Sequence, residues 1–249
     1  MIKALFKTAV SIIVLISLLV AAALISSTGI NKLTDNFILA DNPLGVKGDS
    51  ETRTVIIDPG HGGEDPGAVG VGGVLEKDIN LSLSKKIKKL LEFERFNVIM
   101  TREDDVLLYH EDAQGSKKSQ DLRNRLNFQD SYPDALFVSI HMNKFPLEYC
   151  RGLQVYYSDN APESAVLAES IKQNVVTNLQ PDNKRECKAA DTSIFILNNI
   201  KIPAVLIECG FLSNNEEASL LSSDTYQNKL SALIVYAISD TEQKSENSK

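Results

Sequence analysis

Short apolar runs alternate with amphipathic helical patterns over residues 51–240, and this alternation limits the folds open to the chain. Each run has the length of a buried strand, and the segments between them repeat apolar residues at helical spacing, as Ile79, Leu83 and Ile87 do. The runs are Val55–Ile57, Val98–Met100, Leu136–Ile140, Leu153–Tyr157 and Ala204–Ile207. The alternation predicts an α/β fold, a single domain with a mainly parallel, twisted sheet and helices on both faces.

Both ends of the chain predict segments outside this domain. Residues 9–25 carry no charge and follow Lys3 and Lys7, a pattern shared by secretory signals and N-terminal membrane anchors. The choice between the two stays open. Either one predicts export across the cytoplasmic membrane, with the domain secreted, in the cell wall or anchored outside. The predicted segments are a signal or anchor (1–27), a linker (28–50), the folded domain (51–240) and a disordered tail (241–249).

Charge and cysteine content narrow the classes of function. The net charge is −7 and no dense Lys/Arg stripe offsets it, so we expect no nucleic-acid binding. We expect contact with the membrane through the N-terminal segment alone. Three cysteines are too few for a disulfide scaffold, although a pair between Cys150 and Cys187 stays open in an exported chain. Cys209 is expected to be a buried apolar filler rather than a nucleophile.

Three of the apolar runs end in side chains that can bind metal or carry protons. The first run leads into Asp58 and His61, the third into His141, and the last into Glu208. Ligands of open parallel sheets bind at the carboxyl ends of the strands. The three runs therefore predict one site at that edge of the sheet.

A glycine-rich loop supports the same site. Seven of the thirteen glycines lie within residues 60–73, where they permit positive φ angles and a close approach of the backbone to a ligand. The loop ends at Glu76, where a helix is predicted to begin. Neither of the glycine-rich phosphate-binding motifs aligns with the loop, so nucleotide binding is not expected.

The residue types at this edge are those of a catalytic zinc site. Two histidines and one carboxylate, here His61, His141 and Glu76, with one open position, form such a set. Glu208 is the candidate for a separate carboxylate that takes a proton from water. The helical HExxH motif is absent, because Gln114 stands where its second histidine should be. Any zinc must then be held by ligands scattered along the chain.

The chain resembles the zinc-dependent N-acetylmuramoyl-L-alanine amidases, bacterial peptidoglycan hydrolases with an α/β sheet. The resemblance covers residues 53–239 and implies one Zn²⁺ per chain, held by His61, Glu76 and His141, with Glu208 as the catalytic residue. It also implies peptidoglycan as substrate. The matching stretches are Ile57–Gly63, Leu75–Lys77, Thr101–Arg102, Ser139–Asn143 and Pro203–Asn214.

Within this family, the chain most resembles the single-domain spore-cortex or germination-specific type. The link from Asn143 to Gly152 is short and lacks room for the autoinhibitory helix of amidases that separate daughter cells. That subtype implies a role in forming muramic-δ-lactam. An acidic domain with no appended wall-binding repeat is also expected to need a helper or activating protein.

The roles of several residues are undecided at this point, and two alternative functions remain. Asp58 is expected to shape its turn or to hold an imidazole N–H of a metal ligand. Arg102 and Arg125 are expected either to contact acidic groups of the substrate or to form structural ion pairs. Asn143 is a further candidate for the substrate site, and His110 is expected in an exposed loop. The rival functions are another zinc peptidase acting within the stem peptide and a non-catalytic peptidoglycan-binding domain.

Overall fold

A six-stranded sheet runs through the part of the chain that the computed structural model describes, residues 53–109 and 115–246. The predicted signal or anchor, the linker and His110 lie outside these residues. The strands are β1 (Thr54–Pro59), β2 (Asn97–Met100), β3 (Leu136–Asn143), β4 (Gln154–Tyr157), β5 (Lys188–Ala189) and β6 (Ala204–Phe211).

The sheet order is β2–β1–β3–β6–β4–β5, and its first four strands are all parallel. β4 pairs antiparallel with β6, and β5 runs parallel to β4. The expected α/β fold with a mainly parallel sheet is therefore confirmed, with a reversed edge. The carboxyl ends of β1, β3 and β6 lie side by side at one edge.

Helices cover both faces of the sheet, as expected. α1, α4 and α7 pack on one face over a core that includes Leu83, Ile171 and Ile234, and α2 and α5 pack on the other around Phe137. The helices are α1 (Glu76–Phe93), α2 (Lys117–Leu126), α3 (Phe128–Ser131), α4 (Glu163–Asn178), α5 (Phe195–Asn199), α6 (Asn215–Leu221) and α7 (Asp224–Glu246), with a 3-10 turn at Val71–Gly73.

The last helix continues past the predicted end of the domain. Residues 241–246 belong to α7, so the expectation of a disordered tail from residue 241 is wrong for them, and residues 247–249 lie outside the description. An ion pair between Arg53 and Glu242 stabilises the extension. The Thr241 hydroxyl also donates to the Ala237 carbonyl at 2.7 Å. None of the helices within 53–109 and 115–246 has the length and apolar character needed to cross a membrane.

The cysteines are all free. Cys150 and Cys187 are half-buried and unpaired, so the open option of a disulfide between them is not realised. Cys209 is fully buried within the core on the α1 face, which agrees with its expected packing role.

Candidate active site

The loop after β1 turns His61 towards the neighbouring strand. Gly60 N donates to the Ile140 carbonyl of β3 at 3.0 Å, so the start of the loop is hydrogen-bonded to that strand. His61 has a φ of 62°, and the following Gly62 also has a positive φ. A non-glycine residue in the left-handed region is uncommon and often lies at a functional site.

Glu76 is the first residue of α1, and its carboxylate lies between two imidazoles. Its Oε1 is 2.9 Å from His141 Nδ1, and its Oε2 is 3.3 Å from His61 Nε2. Backbone amides hold it there, since Met142 N donates to Oε1 at 3.0 Å and Ala68 N donates to Oε2 at 2.7 Å. One ligand atom from each of His61, Glu76 and His141 lies within 4.8 Å of the others. We call this group the His–Glu–His cluster.

Two glycines make room for the cluster. A Cβ at Gly60 would lie 2.1 Å from His141 Cε1, and a Cβ at Gly67 would lie 2.5 Å from Glu76 Oε2. Carbon atoms cannot approach so closely, which means that both imidazoles and the carboxylate pack against bare backbone. The glycine-rich loop therefore acts as the floor of the cluster.

The carboxylate and the imidazoles of the cluster each favour the charged form of the other. Burial disfavours ionisation of Glu76, but hydrogen bonds and charge interactions with His141 and His61 outweigh it and hold its pKa far below the usual range. Burial disfavours protonation of His61, but Glu76 and then Asp65 outweigh this and raise its pKa. The carboxylate is thus ionised at neutral pH, as a metal ligand must be.

Asp65 orients His61, a role that sequence reasoning missed. His61 Nδ1 donates to Asp65 Oδ2 at 2.8 Å, which leaves Nε2 pointing towards Glu76. Asp65 also accepts from Gly67 N at 3.1 Å. The available signal was the second carboxylate within the glycine-rich loop, four residues after His61. One of the two roles expected for Asp58, holding an imidazole N–H of a metal ligand, belongs to Asp65 instead.

Glu208 lies beside the cluster on β6, where it is the Cα partner of His141. Its Oε2 is buried and has no hydrogen-bond partner among the described residues. Burial raises the pKa of Glu208 to about 7, with a further contribution from Glu76, while His141 and His61 oppose it. A buried carboxylate with an unsatisfied oxygen and a pKa near neutrality has the properties of a general base.

Asp58 instead belongs to a buried polar network beneath the loop. Its Oδ1 accepts from Arg125 Nη1 and from the Thr101 hydroxyl, each at 2.7 Å, and its Oδ2 accepts from the Ser139 hydroxyl at 2.7 Å. Burial opposes ionisation of Asp58, but Arg125 and the two hydroxyls lower its pKa overall. We call Asp58, Arg102, Asp121 and Arg125 the arginine network.

Both arginines of this network support the loop. Arg125 also donates to Asp121 Oδ2 at 2.8 Å and to the His61 carbonyl at 2.7 Å, and Arg102 donates to the Gly60 carbonyl at 3.0 Å. Arg125 is 1% exposed and Arg102 3%. The alternative in which they contact the substrate is therefore wrong. Arg125 forms the alternative ion pairs, whereas Arg102 donates to backbone carbonyls.

Asn143 ends β3 next to the site. Its carbonyl accepts from Leu212 N at 2.8 Å, and its Cα pairs with Phe211 across an irregularity in the β3–β6 register. Contact of its side chain with substrate stays a prediction.

The chain is similar to known peptidoglycan amidases over most of its length. The N-acetylmuramoyl-L-alanine amidase family model matches residues 55–240. The germination-specific N-acetylmuramoyl-L-alanine amidase of Bacillus subtilis (strain 168) is 37% identical over 188 residues, which are 75% of this chain and 78% of the relative.

Solved structures agree with this match. The CwlD amidase from Clostridioides difficile, in complex with the GerS lipoprotein, is 38% identical with a TM-score of 0.73, over 77% of this chain and 99% of that one. The amidase AmiC2 of Nostoc punctiforme is 30% identical with a TM-score of 0.67, over 78% and 99%. The chain therefore belongs to the N-acetylmuramoyl-L-alanine amidases, enzymes that act on peptidoglycan.

Proposed function

We propose that this amidase is a zinc enzyme that hydrolyses the amide between the lactyl group of N-acetylmuramic acid and L-alanine. His61, Glu76 and His141 would hold one Zn²⁺, and Glu208 would serve as the general base. The observation that carries the proposal is the His–Glu–His cluster, whose ligand atoms lie within 4.8 Å of one another.

The cluster fits zinc by its chemistry. Two imidazoles and one carboxylate suit Zn²⁺, whereas Mg²⁺ and Ca²⁺ prefer sites made of oxygen ligands. The bond from His61 Nδ1 to Asp65 leaves Nε2 as the ring nitrogen that faces Glu76 and could bind a metal, an arrangement common in zinc sites. Gly60 and Gly67 keep the floor of the cluster free of side chains.

The protein's own groups would move the protons of the reaction. A bound zinc ion would supply Lewis acidity, which polarises the scissile carbonyl and makes water easier to deprotonate. Glu208 has a free Oε2 and a pKa of about 7, so its ionised form can accept the proton of the attacking water at neutral pH. The same carboxyl would then donate that proton to the leaving nitrogen of L-alanine.

Strand pairing would keep the base and a ligand in fixed relation. Glu208 and His141 are Cα partners on neighbouring parallel strands, and β6 is itself paired on its other side with β4. A catalytic group on a strand paired on both sides is held more firmly than one on a loop, and small displacements reduce rates strongly.

We extend the proposal to spore-cortex maturation, including muramic-δ-lactam formation. Support comes from the relative that is named germination-specific. The related amidase whose structure includes a lipoprotein supports a helper protein for this chain as well. The apolar segment after Lys3 and Lys7 supports export and a domain outside the cytoplasmic membrane, with 1–27 as signal or anchor and 28–50 as linker.

Metal analysis combined with mass spectrometry of digested peptidoglycan tests the proposal. The purified protein should contain about one zinc per chain and release peptides that begin with L-alanine. Glu76→Gln should lose zinc and activity together, with partial recovery in excess zinc. Peptides trimmed at their far end would contradict the proposed bond, and normal zinc content in both His61→Ala and His141→Ala would contradict the ligand set.

A further inference from the structure

Arg185 is a half-buried cation at the reversed edge of the sheet, and neither the His–Glu–His cluster nor the arginine network uses it. Its Nε donates to the Arg151 carbonyl at 2.9 Å, and its guanidinium lies 4.5 Å from the centre of the Phe211 ring. Within residues 53–109 and 115–246 it forms no ion pair with a carboxylate. Arg185 is therefore held in position and bonds to no carboxylate directly, although the buried Glu217 lies close enough for Arg185 to oppose the rise of its pKa.

The loop that carries Arg185 is fixed to the start of β4. Asn183 donates from Nδ2 to the Leu153 carbonyl at 2.9 Å, and its Oδ1 accepts from Arg185 N at 3.0 Å. The side chain of Gln154 donates to the carbonyl of Glu186 on the other side of Arg185. These bonds preorganise the arginine, which lowers the entropic cost of binding an anion.

Three observations place Arg185 at the same end of β6 as Glu208, with Gln154 between the two. Arg185 Nη1 lies 3.5 Å from the Oε1 atom of Gln154, and Gln154 is the Cα partner of Glu208 across the β4–β6 pair. Phe211, under the guanidinium, is three residues after Glu208 on the same strand. The pKa of Tyr156 is raised first by burial and then by Glu208, while Arg185 opposes the rise, so both charges lie near this one phenol.

We propose that Arg185 is a specificity-determining residue that binds a free carboxylate of the stem peptide, on the residue that follows L-alanine. The inference rests on the proposed function, because it takes Glu208 as the position of the scissile amide. Adjacent strands are about 4.8 Å apart, and an extended peptide advances about 3.5 Å per residue. A carboxylate two residues beyond the amide nitrogen therefore reaches the neighbouring strand, on which Arg185 is anchored. Arginine matches a carboxylate in shape as well as in charge.

A matched pair of muropeptides tests this assignment. In one, the residue after L-alanine carries a free α-carboxylate, and in the other this carboxylate is an amide. The wild-type enzyme should show a KM about tenfold lower for the free acid, the size expected for a charge-assisted hydrogen bond. Arg185→Gln should process both substrates with similar KM. Lys184→Gln, which removes the exposed cation next to Arg185, should keep the wild-type preference.

The outcomes separate the inference from the reaction on which it rests. Equal KM values for the two substrates in the wild-type enzyme, or a preference retained by Arg185→Gln, would overturn the role of Arg185 while leaving the amidase site intact. An equal loss on both substrates in Arg185→Gln would show a purely structural role and would also overturn it. Partial recovery of the preference in Arg185→Lys would support the charge interaction. A wild-type enzyme inactive on both would contradict the proposed function itself.

Discussion

Two groups of buried charge lie at the same edge of the sheet and differ in how completely they are paired. In the arginine network, Asp58 accepts hydrogen bonds from Arg125, Thr101 and Ser139. Burial alone would lower the pKa of Arg125, but Asp58 and Asp121 raise it above its usual value. Beside the cluster, Glu208 has a buried oxygen without a partner, and its pKa is raised to about 7.

This difference in pairing indicates that the arginine network supports the loop and that Glu208 takes part in the reaction. A buried charge with all its partners stays charged over the whole working pH range, and it stabilises the loop as long as the partners remain. A buried carboxylate without partners costs stability and is easily protonated, which is a property that proton transfer needs. We therefore expect substitutions in the arginine network to affect folding and substitutions at Glu208 to affect turnover.

The largest expected effect is on turnover in Glu208→Gln. The amide keeps the size of the side chain but cannot accept a proton, so amidase activity should fall by about 10²–10⁴-fold. Zinc content and the midpoint of urea unfolding should stay at wild-type values or rise, because a desolvated charge is removed. Near-normal release of L-alanine peptides by this variant would contradict the role of Glu208. It would also mean that Glu208 does not differ from the arginine network in its effect on turnover.

Arg125→Met should act on stability instead. The substitution leaves Asp58 and Asp121 buried without their cation, which should lower the free energy of unfolding by about 3–5 kcal/mol. Urea unfolding measures the loss. Arg123→Met, at an exposed position of the same helix α2, is the matched control and should change stability by less than about 0.5 kcal/mol. Equal effects of the two variants would show that the network is not a support.

The pH dependence of kcat/KM sharpens the assignment of the base. The pKa of Glu208 is raised, so its active ionised form is lost as the pH falls below about 7, and a bound metal cation would move this limb to lower pH. Below the midpoint, each pH unit should reduce activity about tenfold. Zinc content measured at each pH controls for loss of metal from protonated histidines. An acid limb that is identical in Glu208→Gln would point to a different titrating group.

Asp65→Asn should have a smaller effect that falls on metal binding. The amide no longer supplies the charge that orients His61, so zinc affinity should weaken by about 10–100-fold. Competition with a chelator measures this change. Glu64→Gln alters the exposed neighbouring carboxylate and should leave zinc affinity as it is. Wild-type affinity in Asp65→Asn would mean that the imidazole is oriented by the loop backbone alone.

The smallest effect is expected for Glu242→Gln, which gives a baseline for a partly exposed ion pair. The variant breaks the pair with Arg53 and should cost no more than about 1 kcal/mol in urea unfolding. A loss as large as that in Arg125→Met would show that burial does not set the difference between the two pairs.

The parts of the fold that follow from local pattern could be predicted from the sequence. The apolar runs of β1, β3 and β6 and the helical spacing of α1 and α4 indicate their elements directly. Direction and short edges could not be predicted, because β4 differs in pairing rather than in periodicity and β5 has two residues. The end of α7 depends on Arg53, which is distant in sequence and therefore invisible to a local pattern.

The site shows the same division. His61 and His141 could be expected together, because parallel strands deliver residues to one edge, and Glu76 could be added because the glycine-rich loop ends there. Which carboxylate faces the His61 imidazole depends on the positive φ angles of the loop, so the sequence leaves Asp58 as one candidate for the position that Asp65 occupies. Arg185 has no motif, and its position depends on hydrogen bonds to residues about thirty positions earlier.

The order of the site residues along the chain has a consequence for when activity can arise. The three proposed metal ligands lie between residues 61 and 141, whereas Glu208 is on β6, which is inserted between β3 and β4. A nascent chain that ends before Ala204 contains every proposed ligand, yet it lacks both the proposed base and the strand that joins the two parts of the sheet. Hydrolysis therefore has to wait until most of the chain has been synthesised and β6 has paired. The topology itself delays the onset of activity on peptidoglycan.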